Sequence, residues 1–194
     1  MGTTSPHRHA VQFYEDSASL CRMVADFLGD GFAAGEPAVV IATPAHEQQI
    51  MEELTRRRIE VDQVRRAGEL VVLDAEETLG ACMINGTPDG ELFSRYLGTV
   101  LRQVGRIRPR ITIRAYGEMV DVLWKAGQTE AAVKLEVLWN ALALQHNFSL
   151  LCGYAMGQFY KEPECYRRVC DQHSEVIRDM SAANPHRTGA PAQS

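Results

Sequence analysis

Five consecutive apolar residues, Ala38–Ala42 (AVVIA), stand between Pro37 and Pro44, and this segment narrows the choice of fold more than any other. A strand with one wet face alternates apolar and polar residues. An unbroken apolar run reads instead as a strand covered on both faces, as in a parallel sheet enclosed by helices. Thr43-Pro44 then supplies a helix start, a hydroxyl cap followed by a residue that needs no backbone donor. Similar short runs recur at His9–Tyr14 (HAVQFY), Leu70–Leu73, Ile111–Ala115 and Phe148–Gly153. Between them, apolar residues fall at helical spacing, as in Leu20, Met23, Val24, Phe27 and Leu28, where the helix is expected to end before Gly31. Asp74 with Glu77 has the form of a helix cap. Gly86-Thr87-Pro88-Asp89 reads as a turn before a long amphipathic helix from Leu92 to Val104. Thr129 caps a further helix over 131–145, and Pro163 starts a last one running to about Met180. About five strands, each followed by a helix, predict an α/β fold with a mainly parallel sheet and helices on both faces.

The chain has 194 residues, enough for one sizeable core without covalent staples. Residues 1–7 read as a loose arm, 8–180 as a single domain and 181–194 as a disordered tail rich in small and polar residues. A formal charge of −5 argues against direct nucleic-acid binding, which needs a basic face. No apolar stretch is long enough to span a membrane, and the first residues carry no hydrophobic leader. Five widely spaced cysteines read as reduced thiols; together these features predict a cytoplasmic protein.

In open parallel sheets, ligands bind outside the carboxyl ends of the strands. Here that edge carries Tyr14-Glu15-Asp16, Thr43, Asp74, Tyr116-Gly117-Glu118 and Tyr154. The loop after the first strand, Tyr14-Glu15-Asp16-Ser17, has no glycine, no lysine and two carboxylates, so ATP binding through a phosphate loop is excluded. Glu118 reads as a ligand anchor, a general base or simply an acid at a helix start. Helix 131–145 is apolar almost all round, and Glu136 and Asn140 share one of its faces. A carboxylate there must be paired, by Arg114 or Lys134, or line a pocket. His9 is a ligand or a core histidine; Trp124 and Trp139 read first as core. The best metal pattern, Cys165-x4-Cys170-x2-His173, aligns only its last two members on one helical face, and a fourth donor would have to come from a distant Cys152 or His146. A bound metal is therefore not expected.

Six strings, HAVQFYED (9–16), FLGDGFAAGEPAVVIAT (27–43), LDAEETL (73–79), RAYGEMVDVLW (114–124), KLEVLWNAL (134–142) and SLLCGY (149–154), resemble the MEDS domain, the methanogen/methylotroph, DcmR sensory domain. The second is also similar to the segment after the phosphate loop in RecA/KaiC-like ATPases, which implies a degenerate three-layer sandwich of that kind. The MEDS resemblance implies a prokaryotic signalling module, without catalysis, that senses small hydrocarbon-derived molecules and is often joined to a kinase or a DNA-binding domain. It draws attention to His9, Tyr14, Asp74, Tyr116, Glu118, Glu136 and Trp139, to which the edge adds Asp16 and the pairing of Glu136 adds Arg114. The expected partners are a small-molecule ligand and a signalling protein, a histidine kinase or transcription regulator, with a homodimer as a further option. Two other readings stand beside it: an interaction module with a degenerate pocket, and a hydrolase using Glu118 as base.

Overall fold

The computed structural model describes residues 8–157 and 163–178. Strand β1 (His9–Tyr14) leads through helix α1 (Ser17–Ala33) to β2 (Ala38–Ala42). Helices α2 (Pro44–Arg56) and α3 (Val61–Arg66) precede β3 (Leu70–Asp74), and α4 (Ala75–Ala81) opens into a two-stranded hairpin, β4 (Met83–Ile84) and β5 (Thr87–Pro88). Helix α5 (Gly90–Ile107) is followed by β6 (Ile113–Gly117), α6 (Met119–Lys125), α7 (Thr129–Ala143) and β7 (Phe148–Ala155). Helix α8 (Pro163–Asp171) and strand β8 (Glu175–Arg178) complete the described chain.

The main sheet has six strands in the order β3-β2-β6-β7-β1-β8, and every neighbouring pair is parallel. Side-chain alternation along the strands separates two cores. Ala10, Tyr14, Val40, Tyr116 and Leu151 face α1 and α2, burying Leu20, Val24, Leu28, Ile50 and Leu54. Val11, Phe13, Ile41, Leu150 and Cys152 face α4 to α8, burying Leu97, Met119, Leu135 and Trp139. All five residues of β2 are buried, as the apolar run requires. No helix among the described residues is long and apolar enough to cross a membrane.

The parallel α/β architecture is as the apolar runs require; several local expectations change. The last helix stops at Asp171 instead of continuing to Met180, which lies outside the described residues. The chain turns at His173-Ser174, where Ser174 N–H donates to His9 O (2.8 Å) and His9 N–H donates to Ser174 Oγ (3.0 Å). Those bonds dock Glu175–Arg178 on β1 as a sixth strand. The 86–89 turn is part of the β4–β5 hairpin, with Asn85 and Gly86 at positive φ and Asp89 capping α5. β6 lies two residues later than expected, so Tyr116 and Gly117 are inside the strand. Helix α1 continues through Gly31 to Ala33, and the glycine leaves room for Arg114: a Cβ there would sit 2.5 Å from Arg114 Cγ. Helix α7 starts at Thr129, with Gln128 as its cap residue, and it is not buried all round: Val137 is 47% exposed. The proposed arm 1–7 and tail 181–194 lie outside the described residues.

Candidate functional site

Strands β2 and β6 are neighbours, yet the helices that follow them lie on opposite faces: α2 packs in the α1 core and α6 in the α7 core. Such a switch in winding opens a crevice at the carboxyl ends of the strands. Thr43 follows β2 and Glu118 follows β6, so these residues meet there. Glu118 is 1% exposed. Thr43 N–H donates to its Oε2 (3.0 Å), the Thr43 hydroxyl reaches Oε1 (3.2 Å), and His46 Nδ1 lies 2.7 Å from Oε1. His46 Nε2 is in turn 2.8 Å from Ser17 Oγ. The Thr43 hydroxyl therefore serves Glu118 and makes no side-chain cap bond to α2.

One strand pair further along, the ends of β1 and β7 are joined by Asp121 from α6. This carboxylate is fully buried. Tyr14 OH donates to its Oδ2 (2.7 Å), the amide of Ala155 donates to Oδ1 (2.8 Å), and Lys125 Nζ approaches Oδ2 at 2.7 Å and Tyr14 OH at 3.0 Å. Lys125 keeps half of its side chain in solvent. Burial pushes the Tyr14 phenol far above its ordinary range, and the Asp121 charge pushes it the same way. Tyr116 lies beneath, fully buried; its phenol is also pushed well up by burial, and its hydroxyl has no hydrogen-bond partner among the described residues.

A second constellation lies between the sheet and α7, toward the opposite end of β1. His9 and Tyr14 are five residues apart on one strand, about 16 Å. Glu136, fully buried, is the centre of this cluster. Tyr154 OH donates to Oε1 (2.8 Å), Cys152 Sγ lies 3.5 Å from Oε2, His9 Nε2 3.2 Å from Oε2, and His173 Nε2 3.4 Å from Oε1. Burial would raise the Glu136 carboxyl, but His173 and His9 outweigh it and hold it well below the usual carboxylate range. Burial would lower His173; Glu136 reverses that and raises it. Burial, then Glu136, pushes the Cys152 thiol well up.

The nine residues singled out from sequence thus divide into separate groups. Tyr14, Tyr116 and Glu118 lie at the carboxyl edge; His9 and Glu136 meet in the second cluster. Asp16 and Asp74 cap α1 and α4 through the amides of Ser19 and Glu77 (both 2.8 Å). Arg114 sits at the amino side of β6, ion-paired with Glu36 and lying over the Phe27 ring. It does not pair Glu136, and neither does Lys134; the two histidines do. Trp139 is core, edge-on to Phe93 at 5.0 Å between ring centroids. Sequence reasoning passed over Asp121, Lys125 and His46; it placed Tyr154 at the carboxyl edge, whereas its hydroxyl turns to Glu136. Asp121 and Lys125 carried one signal, an i,i+4 acid–base pair in the helix that leaves β6. The Glu136/Asn140 stripe was legible: both side chains reach His9, Asn140 Oδ1 at 2.9 Å from Nδ1. Two surface clefts of about 660 and 590 Å³ contain none of the nine residues. One lies between α2 and α3, at Met51, Ile59 and Val61; the other lies beside the hairpin and α7, at Gly86, Ala131 and Val137.

No curated protein matches the chain. A family model described as the MEthanogen/methylotroph, DcmR Sensory domain matches residues 8–174, which takes in both side-chain clusters, and the chain belongs to this MEDS family of sensory domains.

Proposed function

We propose that this domain senses a small, hydrocarbon-derived molecule at the carboxyl edge of its sheet and passes the signal to a partner protein, without catalysis. Asp121 carries the reading. It is a fully buried carboxylate at the ends of β1 and β7, shared by a phenol, a backbone amide and a half-exposed lysine. A ligand that bonds Lys125 or the Tyr14 hydroxyl competes directly for contacts that hold the two strand ends together. Binding at that point is coupled to the position of α6, and a partner reading α6 would receive the change. The family's description as a sensory domain supports the same direction.

The hydrolase alternative has less support. Glu118 is already engaged by Thr43 and His46, which leaves it poorly placed to take a proton from a substrate.

The test is ligand-observed NMR and thermal shift on the purified chain with methanol, formaldehyde, acetate, dichloromethane and ATP. At least one of the one- or two-carbon compounds is expected to bind unchanged, and Tyr14→Phe to weaken it by roughly tenfold, the worth of one hydrogen bond. ATP hydrolysis, or no binding by any one- or two-carbon compound, would overturn the reading.

A further inference from the structure

The geometry points to a closed, four-donor site for a divalent transition metal of the zinc type, built by His9, Glu136, Cys152 and His173 between the sheet and α7. The site is separate from the carboxyl edge, and the inference stands or falls independently of the ligand reading there.

Four features carry it. First, one donor atom from each residue falls within 4.8 Å of all the others, among two imidazoles, a thiol and a carboxylate. This is a borderline-soft N/S/O set of the kind zinc takes, and it suits magnesium or calcium poorly. Second, the spacings of three donors fit. A tetrahedral ion with bonds of about 2.0–2.3 Å holds its ligands about 3.2–3.8 Å apart. His9 Nε2, Glu136 Oε2 and Cys152 Sγ form a triangle of 3.2, 3.5 and 3.5 Å. His173 Nε2 stands 3.4 Å from Oε1, the other oxygen of the same carboxylate, and within 4.8 Å of the remaining donors.

Third, both histidines are aimed. His9 Nδ1 is 2.9 Å from Asn140 Oδ1, and Asn140 is itself held by Nδ2–H donating to the carbonyl of Gln172 at 2.9 Å. His173 Nδ1 is 2.7 Å from the carbonyl of Val169. An acceptor at each Nδ1 places the proton there and turns the Nε2 lone pair into the cluster, the usual arrangement behind a metal-bound imidazole. His173 Nε2 is buried and faces Glu136 Oε1 at 3.4 Å. Fourth, Tyr154 OH supports the carboxylate from outside the four donors. On binding, the Cys152 thiol and any imidazole protonated at Nε2 release their protons to solvent, and the thiolate and Glu136 together balance the ion's charge.

Four protein donors leave no open position, so the ion is structural or regulatory, with no role in activating water. Its ligands come from β1, α7, β7 and the turn between α8 and β8. It would pin the last strand to the body of the sheet.

The test is titration of the reduced, metal-stripped full chain with Co²⁺, followed by displacement with Zn²⁺ and elemental analysis after desalting. One ion per chain is expected, with the visible bands of tetrahedral cobalt and a thiolate-to-cobalt charge-transfer band, all removed by zinc. Cys152→Ser should abolish the charge-transfer band. His173→Gln should weaken affinity by at least ~100-fold, and Asn140→Ala, which only orients His9, by about 10–100-fold. Cys170→Ser, outside the cluster, should bind as the wild type does. An octahedral spectrum without a thiolate band, or no zinc retained at equimolar metal, would overturn the inference. So would unchanged affinity in both Cys152→Ser and His173→Gln. The wild-type spectrum decides alone where a variant does not fold.

Discussion

Two buried tyrosines at the carboxyl edge show how differently the same side chain can be used. Tyr14 donates a hydrogen bond to Asp121 and accepts one from Lys125. Tyr116, fully buried in the same core, has an unpaired hydroxyl crowded against Gly153, where a Cβ would meet the phenol oxygen at 3.1 Å. A buried hydroxyl without a partner costs about 1–3 kcal/mol of desolvation. Tyr116→Phe is therefore expected to leave stability unchanged or raise it by about 1 kcal/mol in urea unfolding. A loss above about 1 kcal/mol would mean that the hydroxyl is satisfied, and so that a water or a ligand reaches it. Neither role could be read from the strings HAVQFY and ITIRAY. Both phenols point to the α1 side by strand alternation; the Tyr14 oxygen meets Asp121, 107 residues along the chain, and the Tyr116 oxygen lies against Gly153 of β7.

Helices α1 and α2 form a layer held by apolar packing and by a short charge relay. Arg57 at the end of α2 donates to Asp26 of α1 (2.7 Å) and, by a second nitrogen, to Glu53 (2.6 Å), which Arg56 also contacts. The Arg57 hydrogen bond, aided by Arg56, holds the Glu53 carboxyl below the usual range. A carboxyl lowered on folding adds stability above its unfolded value, about 4.3. That stability is lost as pH falls through the lower folded value. Wild type should therefore lose stability between neutral pH and pH 3 more steeply than Glu53→Gln, as thermal melts at low salt would record. Equal slopes would mean that solvent screens the pair completely. The Arg56-Arg57-Arg58 run reads from sequence as charge suited to a helix end. Its tie to α1 is a packing result, since Asp26 and Arg57 become neighbours only once both helices lie on the sheet.

The two cores on either side of the sheet take Cys21, Cys82 and Cys152 out of reach of solvent. Burial pushes the Cys21 thiol up to about 12 and the Cys82 thiol to about 11, and burial with the Glu136 charge pushes Cys152 well up too. A thiol alkylating reagent at pH 8 should therefore label these three only when the chain unfolds, with a rate that tracks global opening. Labelling of any of them at the rate of a free thiol in the folded protein would mean that its layer opens locally. The parallel sheet, its layered helices and the carboxyl edge were legible in the amino-acid order, because apolar runs, helical periodicity and caps are local patterns that need no knowledge of distant chain. The sixth strand was not: Glu175–Arg178 becomes a strand through hydrogen bonds to His9 and pairing with β1. Nor was the cluster at Glu136. His9 meets Asn140 and Cys152 across 131 and 143 residues of chain. Their meeting depends on strand order and on register, and a slip of one residue would turn His9 to the other face of the sheet. Local chemistry chose the elements; the long-range pairing of parallel strands chose which side chains share a site.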